Sequence, residues 1–291
     1  MENIENQESK KSEVLIANPE KLQEKIERFK EEGAGKIHVL TDFDRTLTKA
    51  FIGTEKVPTI IAEIRNGNYL TSDYTPRAHM LFNKYHPIEI DTSIDRLEKE
   101  KAMHEWWKTH FDLLVECGLN RDVMQEIISK KTIQFRVGAK DFLTELKIKD
   151  IPVIIMSAAI GDMVLMYLNQ EGLLFNNIYM IANLFEFDEN GKVVKIKEPI
   201  IYSLNKAEIA LKDFPIFEKI ANRKNVILLG DGIDDNGMIE GFDFDEIIRI
   251  GFLNENVSEN KQKYLENFDV VITGDGDMNY VNDLLKQILG S

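Results

Sequence analysis

The sequence predicts an α/β fold: a doubly wound, mostly parallel sheet with a helical cap domain inserted after the first strand. Three observations predict it. The runs Ile37–Thr41, Ile151–Met156, Val226–Gly230 and Val270–Thr273 are largely apolar from end to end, as strands covered on both faces must be. Stretches of helical period separate most of them, the alternation that builds a parallel sheet. Between residues 57 and 130 no strand pattern occurs and helix formers dominate, so the alternation is interrupted early.

The elements follow in order. Residues 1–18 are polar and charged, are expected to be disordered, and carry no assigned role. From Pro19 to Gly33, Leu22, Ile26 and Phe29 fall at spacings of four and three, an amphipathic helix that Gly33 stops. Ile37–Thr41 is the first strand. In the insertion, Arg96–Leu119 is the clearest helix, ending at Gly118, and Arg121–Lys130 restarts a helical period. The expected boundaries are therefore a cap at 54–132 and a core made of 1–53 and 133–291. Lys140–Leu146 reads as a helix, Ile151–Met156 as a strand, Met163–Gln170 as a helix and Ile178–Ala182 as a strand. Asn190-Gly191 between alternating segments marks a hairpin. Ala207–Lys212 reads as a short helix; Val226–Gly230, Ile247–Ile250 and Val270–Thr273 complete the strands.

Composition narrows the function. The chain of 291 residues has ample apolar content for a sizeable interior. Cys117 is its only cysteine, so no intramolecular disulfide exists and a reducing, cytoplasmic setting is expected. The N-terminus lacks a signal-like apolar region, and no apolar run approaches membrane-spanning length. A formal net charge of −14 argues against nucleic-acid and anionic-membrane partners, whose phosphates need clustered cations. A monomer acting on a small molecule is expected.

Three strands end in groups suited to phosphoryl transfer. Asp42 and Asp44 leave the first strand two residues apart. One such carboxylate can attack phosphorus while the other protonates the leaving oxygen and then deprotonates water. Two anions meeting an anionic phosphate require a cation, and Mg²⁺ is the expected cofactor. Ser157 ends the strand Ile151–Met156, where its hydroxyl and the N–H groups of the following helix start could hold phosphate oxygens. Asp231, Asp234 and Asp235 occupy the loop Gly230-Asp-Gly-Ile-Asp-Asp-Asn-Gly237 after Val226–Gly230, an oxygen-ligand source for Mg²⁺. A parallel sheet gathers its strand ends along one edge, where ligands bind. Each segment alone also has a plain reading as a turn or a helix cap.

Taken together, Asp42-Phe-Asp-Arg-Thr46, then Ser157, then Lys206, then the acidic loop resemble the haloacid dehalogenase-like phosphohydrolases, which have a Rossmann-type core. Within them the chain resembles the cytosolic pyrimidine 5′-nucleotidases of type III from about Lys36 onward. The likeness includes Thr41–Thr48, Ile88–Asp91, Met103–Trp106, Ile151–Asp162, Asn183–Gly191, Asn205-Lys206 and Asn225–Asp231. The resemblance implies a nucleophile at Asp42 and an acid and base at Asp44. Mg²⁺ would be held by Asp42, the Asp44 carbonyl and Asp231, with Asp235 in support. Ser157, Ala158 and Lys206 would bind the phosphoryl group, and Glu89 would contact the base.

Two departures stand out. His110, with Thr109 beside it, takes the place of a small hydroxyl residue in the substrate pocket, and the metal loop differs at Gly232, Ile233 and after Asp235. Trp106 and Trp107 are adjacent on one helix and cannot share a face; one, taken here as Trp107, borders the ligand. The expected activity is Mg²⁺-dependent hydrolysis of nucleoside 5′-monophosphates, pyrimidines such as UMP and CMP first. The alternatives are a phosphatase for 7-methylguanylate or another small phosphate ester, with or without phosphotransfer, and a non-catalytic nucleotide-binding module.

Overall fold

The computed structural model describes residues 12–91, 93–208 and 213–290. In chain order the core begins with β1 (Val14–Ile16), α1 (Pro19–Glu32) and β2 (Ile37–Thr41). A two-stranded ribbon, β3 (Phe51–Ile52) and β4 (Glu55–Lys56), precedes four helices: α2 (Ile60–Asn66), α3 (Tyr74–Ile90), α4 (Arg96–Glu116) and α5 (Arg121–Ser129). The chain then returns through α6 (Ala139–Ile148), β5 (Val153–Ile160), α7 (Gly161–Gln170) and β6 (Ile178–Asn183), with the hairpin β7 (Phe185–Phe187) and β8 (Val193–Ile196). It closes with α8 (Phe217–Ile220), β9 (Asn225–Gly230), β10 (Glu246–Leu253), α9 (Val257–Asn267), β11 (Val270–Thr273) and α10 (Asn279–Leu289).

Seven strands form the central sheet in the order β1-β11-β10-β9-β2-β5-β6. All neighbours are parallel except β1, which pairs antiparallel with β11. Side chains alternate between the two faces: Ile37 and Val39 of β2, with Ile227 and Leu229 of β9, enter the core under α1, α6, α7 and α10. Leu40, Val226 and Leu228 enter a second core with Ile216, Ile220 and Met238. Both faces are therefore covered, which is why these strands lack polar alternation.

Three differences from the sequence expectations have local causes. Val14–Ile16 is an edge strand with exposed alternate residues; so short a segment beside charged neighbours leaves no pattern to read. β5 runs on to Ile160, through a register shift after Ser157, so α7 starts at Gly161 and Ser157 lies four residues ahead of it. Residues Ser203–Glu208 form a 3₁₀ turn, and most of the helix expected at Ala207–Lys212 lies outside the described residues.

Candidate active site

The central strands β2, β5 and β9 lie side by side and bring Asp42 and Asp231, from the ends of β2 and β9, and Ser157, from within β5, to one rim. Asp42 extends the ladder: its N–H donates to the Leu229 carbonyl at 3.0 Å. Beyond it the chain turns sharply, with Arg45 at φ +60. Thr48 fixes that turn, its hydroxyl accepting from the Arg45 N–H at 2.8 Å. Gly230 is needed for the same reason of space, because a Cβ there would lie 2.4 Å from the Asp235 Cβ.

Lys206 arrives from outside the sheet on a loop held by two buried asparagines. Asn183 donates to the Ile201 and Ala158 carbonyls and accepts the Ile201 N–H. Asn205 bridges the Tyr202 N–H and the Ile200 carbonyl. The Lys206 ammonium thus sits 2.8 Å from Asp42 Oδ1 and 2.6 Å from Asp235 Oδ1, all three side chains being buried. The second oxygen of Asp235 accepts the Gly232 N–H at 2.9 Å. Ser157 is buried, and its Oγ accepts the Ala159 N–H at 3.2 Å.

This arrangement concentrates negative charge where water is scarce. Burial pushes Asp42 up to about 6, the Lys206 ammonium opposing and Asp235 reinforcing the shift. Asp44 rises to about 7 through burial and the charge of Asp42. Asp231 is raised by burial, Asp235 and Asp42. Burial works against the charge of Lys206, yet Asp235 and Asp42 outweigh it and hold the ammonium protonated. Carboxylate oxygens of Asp42, Asp231 and Asp235 lie within 4.8 Å of one another. Three hard oxygen donors facing one ammonium leave an uncompensated negative charge, a donor set that fits Mg²⁺.

A cavity of about 720 Å³ opens above this floor, within the range of small-ligand sites. Every residue expected to act reaches it: Asp42, Asp44, Ser157, Ala158, Lys206, Asp231 and Asp235 at one end, Glu89, Trp107 and His110 along the helical wall. Their states differ. Glu89 accepts from the Ser203 hydroxyl at 3.1 Å and faces His86 Nδ1 at 3.2 Å. His110 is buried, and its Nε2 is already paired with the Tyr74 hydroxyl at 2.9 Å. Thr109 hydrogen-bonds within its own helix. Trp106 is buried and stacks on Tyr85, while Trp107 packs tilted against Phe111; both border the cavity. Arg45, Lys56, Arg65 and Ser203 also line it. None of them gives a sequence signal, because single cations and hydroxyls in helices and turns are everywhere on protein surfaces.

The sequence profile described as Pyrimidine 5′-nucleotidase (UMPH-1) matches residues 45–289. The 7-methylguanosine phosphate-specific 5′-nucleotidase A of Xenopus laevis is 34% identical over 277 residues, covering 95% of this chain and 96% of that one. The crystal structure of cytosolic 5′-nucleotidase IIIB bound to cytidine superposes with a TM-score of 0.87 at 28% identity, over 94% of this chain and 93% of that one. A HAD family hydrolase of Salmonella enterica shares the fold at a TM-score of 0.54 and 16% identity, over 94% of this chain and 81% of that one.

Proposed function

Because this chain belongs to the pyrimidine 5′-nucleotidase (UMPH-1) family and is a phosphoric monoester hydrolase on the HAD fold, we propose that it hydrolyses nucleoside 5′-monophosphates, pyrimidine nucleotides foremost, through an aspartyl-phosphate on Asp42. The observation that carries the reading is the pairing of Asp42 with Lys206 beside Asp231 and Asp235 on the floor of the cavity.

Asp42 Oδ attacks phosphorus, and Lys206 keeps that carboxylate ionised and offsets charge on the transferring oxygens. Asp44, raised to about 7 and so carrying a proton in about half the molecules at neutral pH, gives that proton to the departing 5′ oxygen. It then takes a proton from the water that cleaves the acyl phosphate. Ser157 and the Ala158 backbone steady the phosphoryl oxygens. Asp42, Asp231 and the Asp44 carbonyl would hold Mg²⁺, with Asp235 in support; when bound, the ion neutralises charge on the phosphate. We read residues 54–132 as a cap that excludes water and carries the base-reading wall, and the chain as a cytosolic monomer.

A second reading, hydrolysis of 7-methylguanosine 5′-monophosphate, draws support from the Xenopus relative and from the Trp107 indole beside the cavity, since an indole face attracts a cationic ring. Phosphate release is to be measured across UMP, CMP, AMP, GMP and 7-methylguanylate, with Mg²⁺ and with EDTA. Release that needs Mg²⁺ and vanishes in Asp42→Asn is the expected result. Undiminished release by that variant would remove Asp42 as nucleophile.

A further inference from the structure

Among the described residues, the base-reading wall contains a cation with no counter-ion. Arg65, on α2, lines the cavity with its guanidinium 4.0 Å over the Phe82 ring. Its Nε is buried and finds no acceptor. Burial pulls its pKa below the ordinary value, with the nearby Tyr74 hydroxyl opposing that shift. Its charge also helps hold the buried His110 ring neutral. Trp107 repeats the pattern, since its Nε1 is buried without a partner in the same cavity. Glu89, the carboxylate on this wall, is occupied by Ser203 and His86.

Both orphan N–H groups are closed off from solvent, so what the occupant of the cavity meets is the unpaired positive charge of Arg65. That charge attracts a carbonyl oxygen and repels another cation. Cytosine, uracil and guanine present carbonyl oxygens without carrying a charge. A 7-methylguanine base carries a positive charge of its own, and in a water-poor cavity a second cation a few ångströms away raises the energy of binding.

We propose that Arg65 is a specificity-determining residue that favours nucleotides with a neutral, carbonyl-bearing base and penalises a cationic base. The inference rests on the 5′-nucleotidase reading and deepens it. Arg65 opposes the attraction that Trp107 offers to a methylated purine, so wild-type protein handles CMP and UMP better than 7-methylguanylate.

The test compares kcat/KM for CMP, GMP and 7-methylguanylate in wild type, Arg65→Met and Arg65→Lys. Arg65→Gln replaces the Met variant if that one does not fold, and turnover of p-nitrophenyl phosphate reports intact chemistry in each. Removing the charge should raise the 7-methylguanylate to CMP ratio at least about tenfold, the effect of a unit charge about 12 Å away at an effective dielectric of about 20 and a floor for any closer one. Arg65→Lys should keep the wild-type ratio, and the GMP to CMP ratio should hardly move, because GMP matches the purine's size without its charge. An unchanged ratio in the neutral variant, or an equal rise for GMP, overturns the proposal while leaving the nucleotidase reading intact. Wild-type protein that turns over p-nitrophenyl phosphate but no nucleotide would overturn both.

Discussion

The Lys206 ammonium bonds Asp42 at 2.8 Å and Asp235 at 2.6 Å, so one cation ties the end of β2 to the loop after β9. Burying three charges together is favourable only while all three are present. Lys206→Met therefore leaves two carboxylates facing each other, and turnover should fall by about 10²–10³-fold, the usual loss on removing a group aimed at transition-state charge. The variant should melt lower than wild type in EDTA and recover part of the difference in Mg²⁺. Steady-state phosphate release and thermal melts check both points; turnover within about twofold of wild type would end the assignment.

Asp231 should behave in the opposite sense. Its folded-state pKa is raised by burial, Asp235 and Asp42, so at neutral pH folding carries a cost, that of burying the charge or of taking up a proton, which the unfolded chain does not bear. That cost is present above the folded-state pKa and disappears as pH falls toward the unfolded value. Asp231→Asn removes it, and metal-free variant should melt a few degrees above metal-free wild type, since about 1 kcal/mol moves Tm by about 2–4 °C at this chain length. Mg²⁺ should then raise the Tm of wild type and leave that of the variant unchanged, and phosphate release should be lost. Equal Mg²⁺ stabilisation of both proteins would take Asp231 out of the metal site.

Much of this site was legible because its parts announce themselves locally. Asp42 and Asp231 follow apolar strands, and parallel pairing then forces the ends of β2 and β9 together. Lys206 was placed by likeness alone, for nothing nearby in sequence reports that Asn183 and Asn205 hold its loop against the sheet. The edge strand Val14–Ile16 had too few residues to set a period, and its pairing with β11 depends on a partner more than 250 residues away. Arg65 and Arg136 carry no local signal in the sequence. Their importance comes from what encloses them, which periodicity does not encode.

Arg136 is the clearest case. It is 1% exposed and donates to the carbonyls of Thr46 (2.9 Å), Arg45 and Gly276, and to Asn254 Oδ1 (3.0 Å). It also pairs with Asp275 at 3.0 Å, while Asp275 accepts the N–H groups of Ala50 and Phe51. One guanidinium thus braces the turn after Asp42, and through Asp275 it anchors the strand that leads to the helices. Arg136→Met should cost about 3–5 kcal/mol in denaturant unfolding, as stranding one partner of a buried pair does. Arg136→Lys keeps the charge without the fork and should recover only part of that loss. A Met variant as stable as wild type would show that the acceptors are satisfied without the side chain.

His110 sets a pH dependence that can be isolated. Burial, and secondarily the charge of Arg65, lower its pKa to about 3, so the folded protein keeps the ring neutral. The unfolded chain protonates at an ordinary value of about 6.5. Below that pH the unfolded state binds the extra proton, and stability falls as pH drops from about 6.5 toward 3. His38, buried and lowered to about 4, adds a loss of the same sign, whereas the raised carboxylates of the active site gain stability over part of the same range. The total profile therefore mixes opposing slopes, and the difference between wild type and His110→Gln separates them. A glutamine can retain a hydrogen bond to the Tyr74 hydroxyl but cannot titrate. Between pH 7 and 5 wild type should lose about 2 kcal/mol more than the variant, the integral of one proton over about 1.5 pH units. Parallel stability profiles for the two proteins would mean that the ring is protonated, or reached by water, in the folded state.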